Sequence, residues 1–327
     1  MRRLFLSLLL IVGVCAAAAG WWLYQPLSLS SATLDLSIEP GTSPRGVAQA
    51  AVDAGVQTPA VLLFTWFRVS GQARQIKAGS YEITSGTTPL ELLSKLVRGD
   101  EAMRAVTLVE GWNFRQVRTA LSRADQLKPD SAALSDEAVM AALDRPGVAP
   151  EGRFFPDTYT YSKGSSDLAV LKRALHAMDK KLEAAWAQRQ PSTQAHTPDE
   201  ALILASIVEK ETGQPGDRPM VSGVFNNRLR IGMPLQTDPS VIYGLGAGFD
   251  GNLRKRDLQT DGPYNTYLRA GLPPTPIAMP GKQALLAAVQ PAPTAALYFV
   301  ARGDGSSQFS ATLEEHNRAV NKYIRLK

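Results

Sequence analysis

Two kinds of apolar pattern run along this chain and predict its elements. Residues 4–24 form one apolar stretch without a charged residue. From residue 33 onward, shorter segments either alternate apolar and polar positions, as strands do, or repeat apolar positions with a helical period. Between residues 35 and 105 these segments predict the order β-α-α-β-α-β. The predicted bounds are a strand at 33–38, helices at 43–54 and 59–69, a strand at 77–83, a helix at 88–97 and a strand at 104–109.

The first apolar stretch has the length of a membrane-spanning helix. At about 1.5 Å per residue it covers roughly 30 Å, the thickness of the hydrocarbon layer. Arg2 and Arg3 favour a cytoplasmic N-terminus, and Trp21, Trp22 and Tyr24 suit the opposite interface. We therefore expect a cytoplasmic tail at 1–3, a transmembrane helix at 4–24 and a Ser-rich linker at 25–34. A cleaved signal peptide is the alternative, because residues 15–20 are small.

The expected fold class is α+β, with two domains. The first domain is the small α+β module at 35–105. The second, at 106–327, is predicted to be mixed α+β, with mainly helices after residue 113 and a strand, an Asp-Gly hairpin and a second strand between 297 and 310. A short basic helix is expected at 318–327.

Composition excludes several classes of function. The net charge of +5 is mild and no block of like charge occurs, so no nucleic-acid partner is expected. Cys15 is the only cysteine, and therefore no intrachain disulfide can form. The three histidines (His176, His196 and His316) are widely spaced and lack the spacing of metal ligands.

Two glutamates near the end of one predicted helix carry the candidate chemistry. Thr197 and Pro198 mark the start of a helix at 198–212, and Glu200 suits a capping box. With Leu202 set at zero, Glu211 falls at about 180°, among Leu204, Ile207 and Val208 at neighbouring angles, whereas Glu209 falls at about 340°. The two carboxylates therefore point to nearly opposite sides of the helix and do not form a cooperating pair.

Glu211 is the unusual member of the two. Apolar neighbours and the negative end of the helix dipole should both raise its pKa, which suits a general acid for cleavage of a glycosidic bond. A frayed helix end, with Glu211 in water, explains the pattern equally. Glu209 faces a more polar side and is interpreted as a supporting residue.

Three polar segments follow and supply candidate binding residues. Asn226 and Arg228 lie in a predicted helix near 220–231, where an exposed helix face is the alternative. Gln236, Thr237 and Asp238 precede Pro239, and helix capping explains them as well. In Tyr264-Asn265-Thr266-Tyr267 two rings flank two hydrogen-bonding groups, a suitable surface for a polysaccharide unless the tyrosines are buried.

The motifs around these residues resemble one known family. "ALILASIVEKETG", "VFNNRLRIGMPLQTDPSVIYGLG", "YNTY", "GLPPTPIAMPG" and "LYFVARGDG" are similar in order and spacing to the bacterial endolytic murein transglycosylases, the YceG-like family. The resemblance covers nearly the whole chain and is most specific at 151–317. In that family a LysM-like module precedes the catalytic region, and the catalytic glutamate is the second one of the Glu-Lys-Glu-Thr motif, here Glu211.

The resemblance implies an activity and a location. The expected reaction is endolytic cleavage of the β-1,4 bond between N-acetylmuramic acid and N-acetylglucosamine in nascent peptidoglycan, which forms 1,6-anhydro ends and terminates strand elongation. No metal and no organic cofactor is implied. The expected partners are glycan strands and the peptidoglycan synthases of the inner membrane, with the catalytic domain on the periplasmic side.

Two other functions remain open from the residues alone. A muramidase would hydrolyse the same bond with an activated water and a second carboxylate, for which Asp238 is the best candidate. A membrane-tethered protein that binds peptidoglycan without cutting it would need no catalytic glutamate.

Overall fold

The chain passes between its two structural units three times, twice within a strand and once directly before Ser166. The computed structural model describes residues 2–325, with side chains at 6, 7 and 9–324. The first unit comprises the residues up to Arg104 together with Thr160–Ser165, and the second comprises Ala105–Tyr159 and the residues from Ser166 onward. Each unit has its own buried apolar cluster.

The first unit begins with a long helix. Short strands and helices follow it. Its elements are α1 (Arg2–Leu23), β1 (Thr33–Ile38), α2 (Pro44–Asp53), α3 (Ala60–Val69), β2 (Gly79–Thr84), α4 (Pro89–Arg98) and the first residues of β3 (Met103–Thr107). From β1 onward this is the predicted order of strands and helices. The likeness of this region to a LysM module stays a prediction.

The pairing of β1 with β2 explains how this unit buries its core. The two strands are antiparallel and Leu36 lies opposite Tyr81. Alternate residues of β1 are buried, as the period of two requires. Ser43 caps α2, and Thr88 forms a reciprocal capping box with Glu91 at the start of α4. Local sequence therefore determines where these helices begin.

The predicted membrane span coincides with α1 but is not confirmed. Within the described residues, no helix combines the length and apolar character that crossing a membrane requires. The predicted cytoplasmic tail at 1–3 includes Met1, which lies outside the described residues.

Residues of the predicted linker at 25–34 pack against the first unit. Leu27 is buried and its N–H donates to the carbonyl of Thr87. Leu29 forms an isolated antiparallel bridge with Val56. These residues belong to the first unit because their apolar side chains complete its core.

The second unit is mainly helical, with short two-stranded sheets. After the last residues of β3 its elements are α5 (Phe114–Ser122), α6 (Asp136–Ala142), β4 (Thr158–Ser162, shared with the first unit), α7 (Asp167–Trp186), α8 (Pro198–Glu211), α9 (Arg218–Arg230), α10 (Asp238–Leu245), α11 (Lys255–Gln259), α12 (Lys282–Val289), β5 (Tyr298–Ala301), β6 (Ser307–Ser310) and α13 (Leu313–Val320). β3 is hydrogen-bonded to β4, and β5 pairs antiparallel with β6. The mixed α+β class is confirmed.

Helix α8 lies at the centre of the second unit. It contacts α7, α9, α10 and α12, and the residues between Ala201 and Val208 are buried except Ile203. Thr197 caps its first turn through the N–H of Glu200. The carboxylate of Glu200 accepts the N–H of His196, so the predicted capping box is not closed on Thr197 itself. A helix buried on most sides carries Glu209 and Glu211 into the interior.

The last helix begins earlier than predicted. Thr312 and Glu315 form a capping box that starts α13 at Leu313, five residues before the predicted position. A π-helical turn follows at Asn321–Arg325. The predicted end at 326 and 327 lies outside the described residues.

Candidate functional site

Glu211 is the last residue of α8 and is largely withdrawn from solvent. The pKa of its carboxyl is raised to about 7, chiefly by burial; the Thr237 hydroxyl lowers it, the nearby charge of Asp238 raises it and the Arg228 guanidinium lowers it. The sequence-based alternative of a solvated, frayed helix end is therefore not what the structure shows. A carboxyl group with this pKa can both donate and accept a proton near neutral pH.

Arg228 supplies a positive charge near Glu211 and is itself firmly held. Its Nε donates to the carbonyl of Leu297 at 2.7 Å, and its Nη1 donates to the carbonyl of Leu235 at 2.7 Å. The guanidinium also lies over the ring of Tyr298, 5.3 Å from the ring centroid. These contacts hold a buried cation near Glu211, where it lowers the pKa of that carboxyl by less than burial raises it.

The segment before α10 brings two further predicted residues to Glu211. Thr237 is the residue before the helix, yet its hydroxyl forms no capping bond. Its Oγ1 is buried and has no hydrogen bond of standard geometry within the described residues, so its interaction with Glu211 falls short of a full hydrogen bond. Asp238 accepts the Tyr267 hydroxyl at 2.5 Å. Asp238 is the first residue of α10, and the capping role considered for it is not observed.

Gln236 shares this region and has an unusual backbone. Its φ is 53°, in the left-handed region that residues other than glycine rarely adopt. Its side chain is exposed, with Oε1 3.4 Å from Nη1 of Arg228. Strained backbone of this kind often accompanies a functional loop.

The side-chain amides of two other predicted binding residues form hydrogen bonds within the protein. Asn226 bonds Ser222 and the N–H of Gln194. Asn265 donates to the carbonyls of Leu258 and Thr260. All four polar contacts hold loops and helices in place, so the structure places these two amides among internal supports.

Thr266 and Tyr264 also contact protein groups. The Thr266 hydroxyl accepts the N–H of Thr237 at 3.0 Å and lies 2.8 Å from the Ser240 hydroxyl. The Tyr264 hydroxyl lies 2.7 Å from that of Thr275. Thr266 thus positions the segment that faces Glu211, while Tyr264 belongs to a neighbouring cavity.

Glu209 supports the end of α8. Its side chain is only 5% exposed; Oε1 accepts from Arg218 at 3.0 Å, and Oε2 accepts the N–H of Gly281 at 2.9 Å. The ion pair joins α8 to α9, and the second bond joins α8 to the residue that precedes α12. Its contacts are separate from those of Glu211, as the helical geometry predicted.

Sequence reasoning missed a second buried glutamate. Glu151 is 6% exposed, and burial raises the pKa of its carboxyl to about 7. Its two oxygens lie 3.1 and 3.2 Å from the N–H of Phe114, at the start of α5. Its sequence signal was its place directly before the aromatic segment 152–161.

Glu151 borders a cavity of about 650 Å³ whose lining includes Phe114, Tyr243 and Tyr264. Glu211 does not line this cavity, although its neighbour Lys210 does. Within the described chain, no group of three or more histidine, cysteine, aspartate or glutamate residues is arranged to hold a metal ion.

Comparison with known proteins identifies the family. The sequence model of the YceG-like family matches residues 36–322. A Bacillus subtilis protein named endolytic murein transglycosylase is 31% identical over 317 residues, which cover 91% of this chain and 87% of that protein. A protein of the same name from Streptococcus pneumoniae is 28% identical over 81% of this chain, which spans only 54% of that relative's length.

A solved structure is similar over most of the chain. The crystal structure of a YceG-like protein from Listeria monocytogenes matches with a TM-score of 0.57 and 28% sequence identity, and covers 88% of this chain and 99% of its own. Together with the extent of the family match, these similarities show that the chain belongs to the YceG-like family.

Proposed function

We propose that this protein is a peptidoglycan lytic transglycosylase that uses Glu211 as its single acid and base. The observation that carries the proposal is a carboxyl group on a rigid, buried helix, with a pKa raised to about 7. The name shared by the B. subtilis and S. pneumoniae relatives supplies the substrate class. The bond cleaved is the β-1,4 link between N-acetylmuramic acid and N-acetylglucosamine.

The proposed reaction needs Glu211 in both protonation states. The protonated carboxyl donates to the glycosidic oxygen as the bond to C1 breaks. The carboxylate then takes the proton of the muramyl 6-hydroxyl as that oxygen bonds to C1, which closes a 1,6-anhydro ring and consumes no water. Burial and Asp238 favour the acid, and Thr237 and Arg228 favour the carboxylate, so neither state is strongly disfavoured at neutral pH.

Replacement of Glu211 by glutamine tests the proposal. Glu211→Gln keeps the shape of the side chain but removes the proton donor, so we expect about 10²–10⁴-fold slower cleavage of purified glycan strands. Circular dichroism should be unchanged. The control is Glu183→Gln on the exposed surface of α7, which should cleave like the parent protein. Full activity of Glu211→Gln would refute the assignment.

A muramidase is the second candidate, because Asp238 is close enough to Glu211 to influence its pKa. In that reaction Asp238 would activate a water molecule or stabilise the sugar cation. Mass spectrometry of the products separates the two reactions. Anhydromuramic ends support the transglycosylase, whereas reducing ends support hydrolysis. Binding of strands without cleavage by the parent protein would leave the non-catalytic alternative.

We further propose that the enzyme acts endolytically on nascent strands at the periplasmic face of the inner membrane, beside the peptidoglycan synthases. The support is the apolar sequence 4–24 and the basic pair Arg2 and Arg3. Fractionation should place the protein in the membrane after alkaline washing, and protease added to spheroplasts should digest the second unit. Release by the alkaline wash would contradict this location.

A further inference from the structure

The cavity next to Glu151 is a feature of the second unit that the proposed reaction does not use. Its volume of about 650 Å³ lies in the range of small-molecule and oligosaccharide sites. The walls come from the start of α5, the segment before Glu151, α10 and the loop before α12. All of these parts belong to the second unit.

The floor of the cavity holds groups that suit an uncharged polar ligand. Glu151 accepts the N–H of Phe114, and the Tyr243 hydroxyl also acts on its carboxyl. A carboxyl group has about four acceptor positions, so capacity remains for a ligand hydroxyl or amide. The rings of Tyr243 and Tyr264 stand edge to face with centroids 4.9 Å apart, and offer apolar surface beside these polar groups.

Charged groups of both signs line the cavity. Two cations, Arg115 and Lys210, lie among the lining residues together with two carboxylates, Asp136 and Glu151. Asp136 is already paired with Arg118. With Asp136 paired and Glu151 partly protonated near pH 7, the lining carries a small positive excess that disfavours a cationic ligand, and a neutral sugar with hydroxyl and acetamido groups meets no such repulsion.

Helix α10 connects the cavity to Glu211. Asp238, at the first turn, acts on the carboxyl of Glu211, while Ile242 and Tyr243, one turn further, line the cavity. Asp238 and Ile242 are four residues apart and lie on the same side of the helix. One turn advances about 5.4 Å, comparable with a single sugar unit. The cavity therefore extends to the helix whose first residue acts on Glu211.

We propose that this cavity is a sugar-binding subsite that takes an N-acetylated sugar of the strand cleaved at Glu211, with Glu151 and Tyr243 as its floor. The proposal rests on the proposed function for the identity of the strand. Glu151 binds and positions the ligand and takes no part in bond cleavage.

Binding and cleavage by the full chain test the subsite separately. Calorimetry with hexa-N-acetylchitohexaose, in a Glu211→Gln background that prevents cleavage, gives the affinity. Cleavage of purified glycan strands by proteins that retain Glu211 gives kcat and KM. We expect Glu151→Gln and Tyr243→Phe to weaken chitohexaose binding at least 5-fold and to raise KM for strands similarly, with kcat changed less than 3-fold. Glu183→Gln should change none of these values.

A cavity-blocking variant covers the case in which Glu151→Gln fails to fold. Ala149 is exposed and lines the cavity, so Ala149→Trp should obstruct the site without disturbing the buried carboxyl. We expect the same loss of affinity and rise of KM. Unchanged affinity and KM in Ala149→Trp and Tyr243→Phe would overturn the subsite. A fall of kcat without a change in binding by Glu151→Gln would also overturn it, since Glu151 would then act in the chemistry.

The failure of the proposed function has a different signature. If the Glu211→Gln protein binds chitohexaose, loses affinity with Ala149→Trp, and still cleaves strands like the parent, the subsite stands and the role of Glu211 falls. If Glu211→Gln abolishes cleavage while the cavity variants bind normally, the role of Glu211 stands and the subsite falls.

Discussion

Glu211 and Glu151 both have a raised carboxyl pKa, but different groups surround them. Burial is the first cause of the raised pKa of each carboxyl. Glu211 lies near a carboxylate, a guanidinium and a hydroxyl, whereas Glu151 has a helix N-terminus and a tyrosine. Both carboxyl groups therefore change protonation near neutral pH, and of the two only Glu211 has a guanidinium among the groups that act on it.

Substitutions of two neighbours of Glu211 should shift the alkaline limb of the profile of kcat/KM against pH in opposite directions. Asp238→Asn removes a repulsive charge, so the pKa of Glu211 should fall and kcat/KM should decline at lower pH. Thr237→Val removes a hydroxyl that lowers this pKa, so the decline should move to higher pH. Rates of strand cleavage between pH 5 and 9 provide the measurement.

The control for that profile is Asp261→Asn, which alters an exposed carboxylate paired with Arg269. This substitution should not change the pH at which kcat/KM declines. Shifts of Asp238→Asn and Thr237→Val in the same direction would show that another group controls the profile.

Stability should also depend on the charge of Glu211. Its carboxyl binds a proton more tightly in the folded chain than in the unfolded chain, with pKa values of about 7 against 4.5. The free energy of unfolding therefore falls as the pH rises from about 4.5 to 7, by up to about 3 kcal/mol for this group. Urea unfolding at pH 5 and pH 8 should show a smaller loss for Glu211→Gln than for the parent. Equal losses would contradict the assigned pKa.

At the scale of elements, α8 is the part on which the site depends. Its cap is local, but its position comes from neighbours on several sides. Glu209 contributes most directly, because its buried carboxylate holds both Arg218 and the N–H of Gly281. The exposed counterpart is the pair of Arg318 and Glu314 on α13.

Removal of these two carboxylates should have unequal effects on stability. Glu209→Ala leaves the charge of Arg218 buried without its partner and should lower the free energy of unfolding by about 3–5 kcal/mol. Glu314→Ala removes a solvent-exposed pair and should cost about 1 kcal/mol or less. Chemical denaturation at pH 7 measures both. A cost for Glu209→Ala no larger than that of Glu314→Ala would show that the ion pair does not anchor α8.

At the scale of the whole molecule, each unit has a buried apolar cluster of its own. Phe67 belongs to the core of the first unit and Phe225 to that of the second, and both are almost fully buried. The residues proposed for catalysis and for the sugar subsite all belong to the second unit. Damage to one core should therefore be largely confined to that core.

Calorimetry should reveal this division as two unfolding transitions. Phe67→Ala and Phe225→Ala should each cost about 3–5 kcal/mol, because each leaves a large cavity. The first substitution should lower the temperature of one transition, and the second that of the other. A single transition that both substitutions shift equally would mean that the two cores unfold together.

The sequence by itself determined the local elements of this protein and its principal candidate. Caps at Ser43, Thr88 and Thr197 and the alternation of β1 act over three or four residues, so the bounds of these elements could be predicted closely. Helical geometry alone separated Glu209 from Glu211. The same geometry could not say whether the end of α8 was wet or buried.

Only the tertiary structure decided how distant residues meet. It brought Thr237 and Asp238 to Glu211, paired Glu209 with Arg218, used the amides of Asn226 and Asn265 as internal supports, and placed Glu151 beside Tyr243. It also drew Leu27 into the first core. Each of these outcomes depends on which buried surfaces face one another, and hydrophobic burial is non-directional. A local pattern therefore shows that a residue will be buried, but the packing of the whole unit determines its partners.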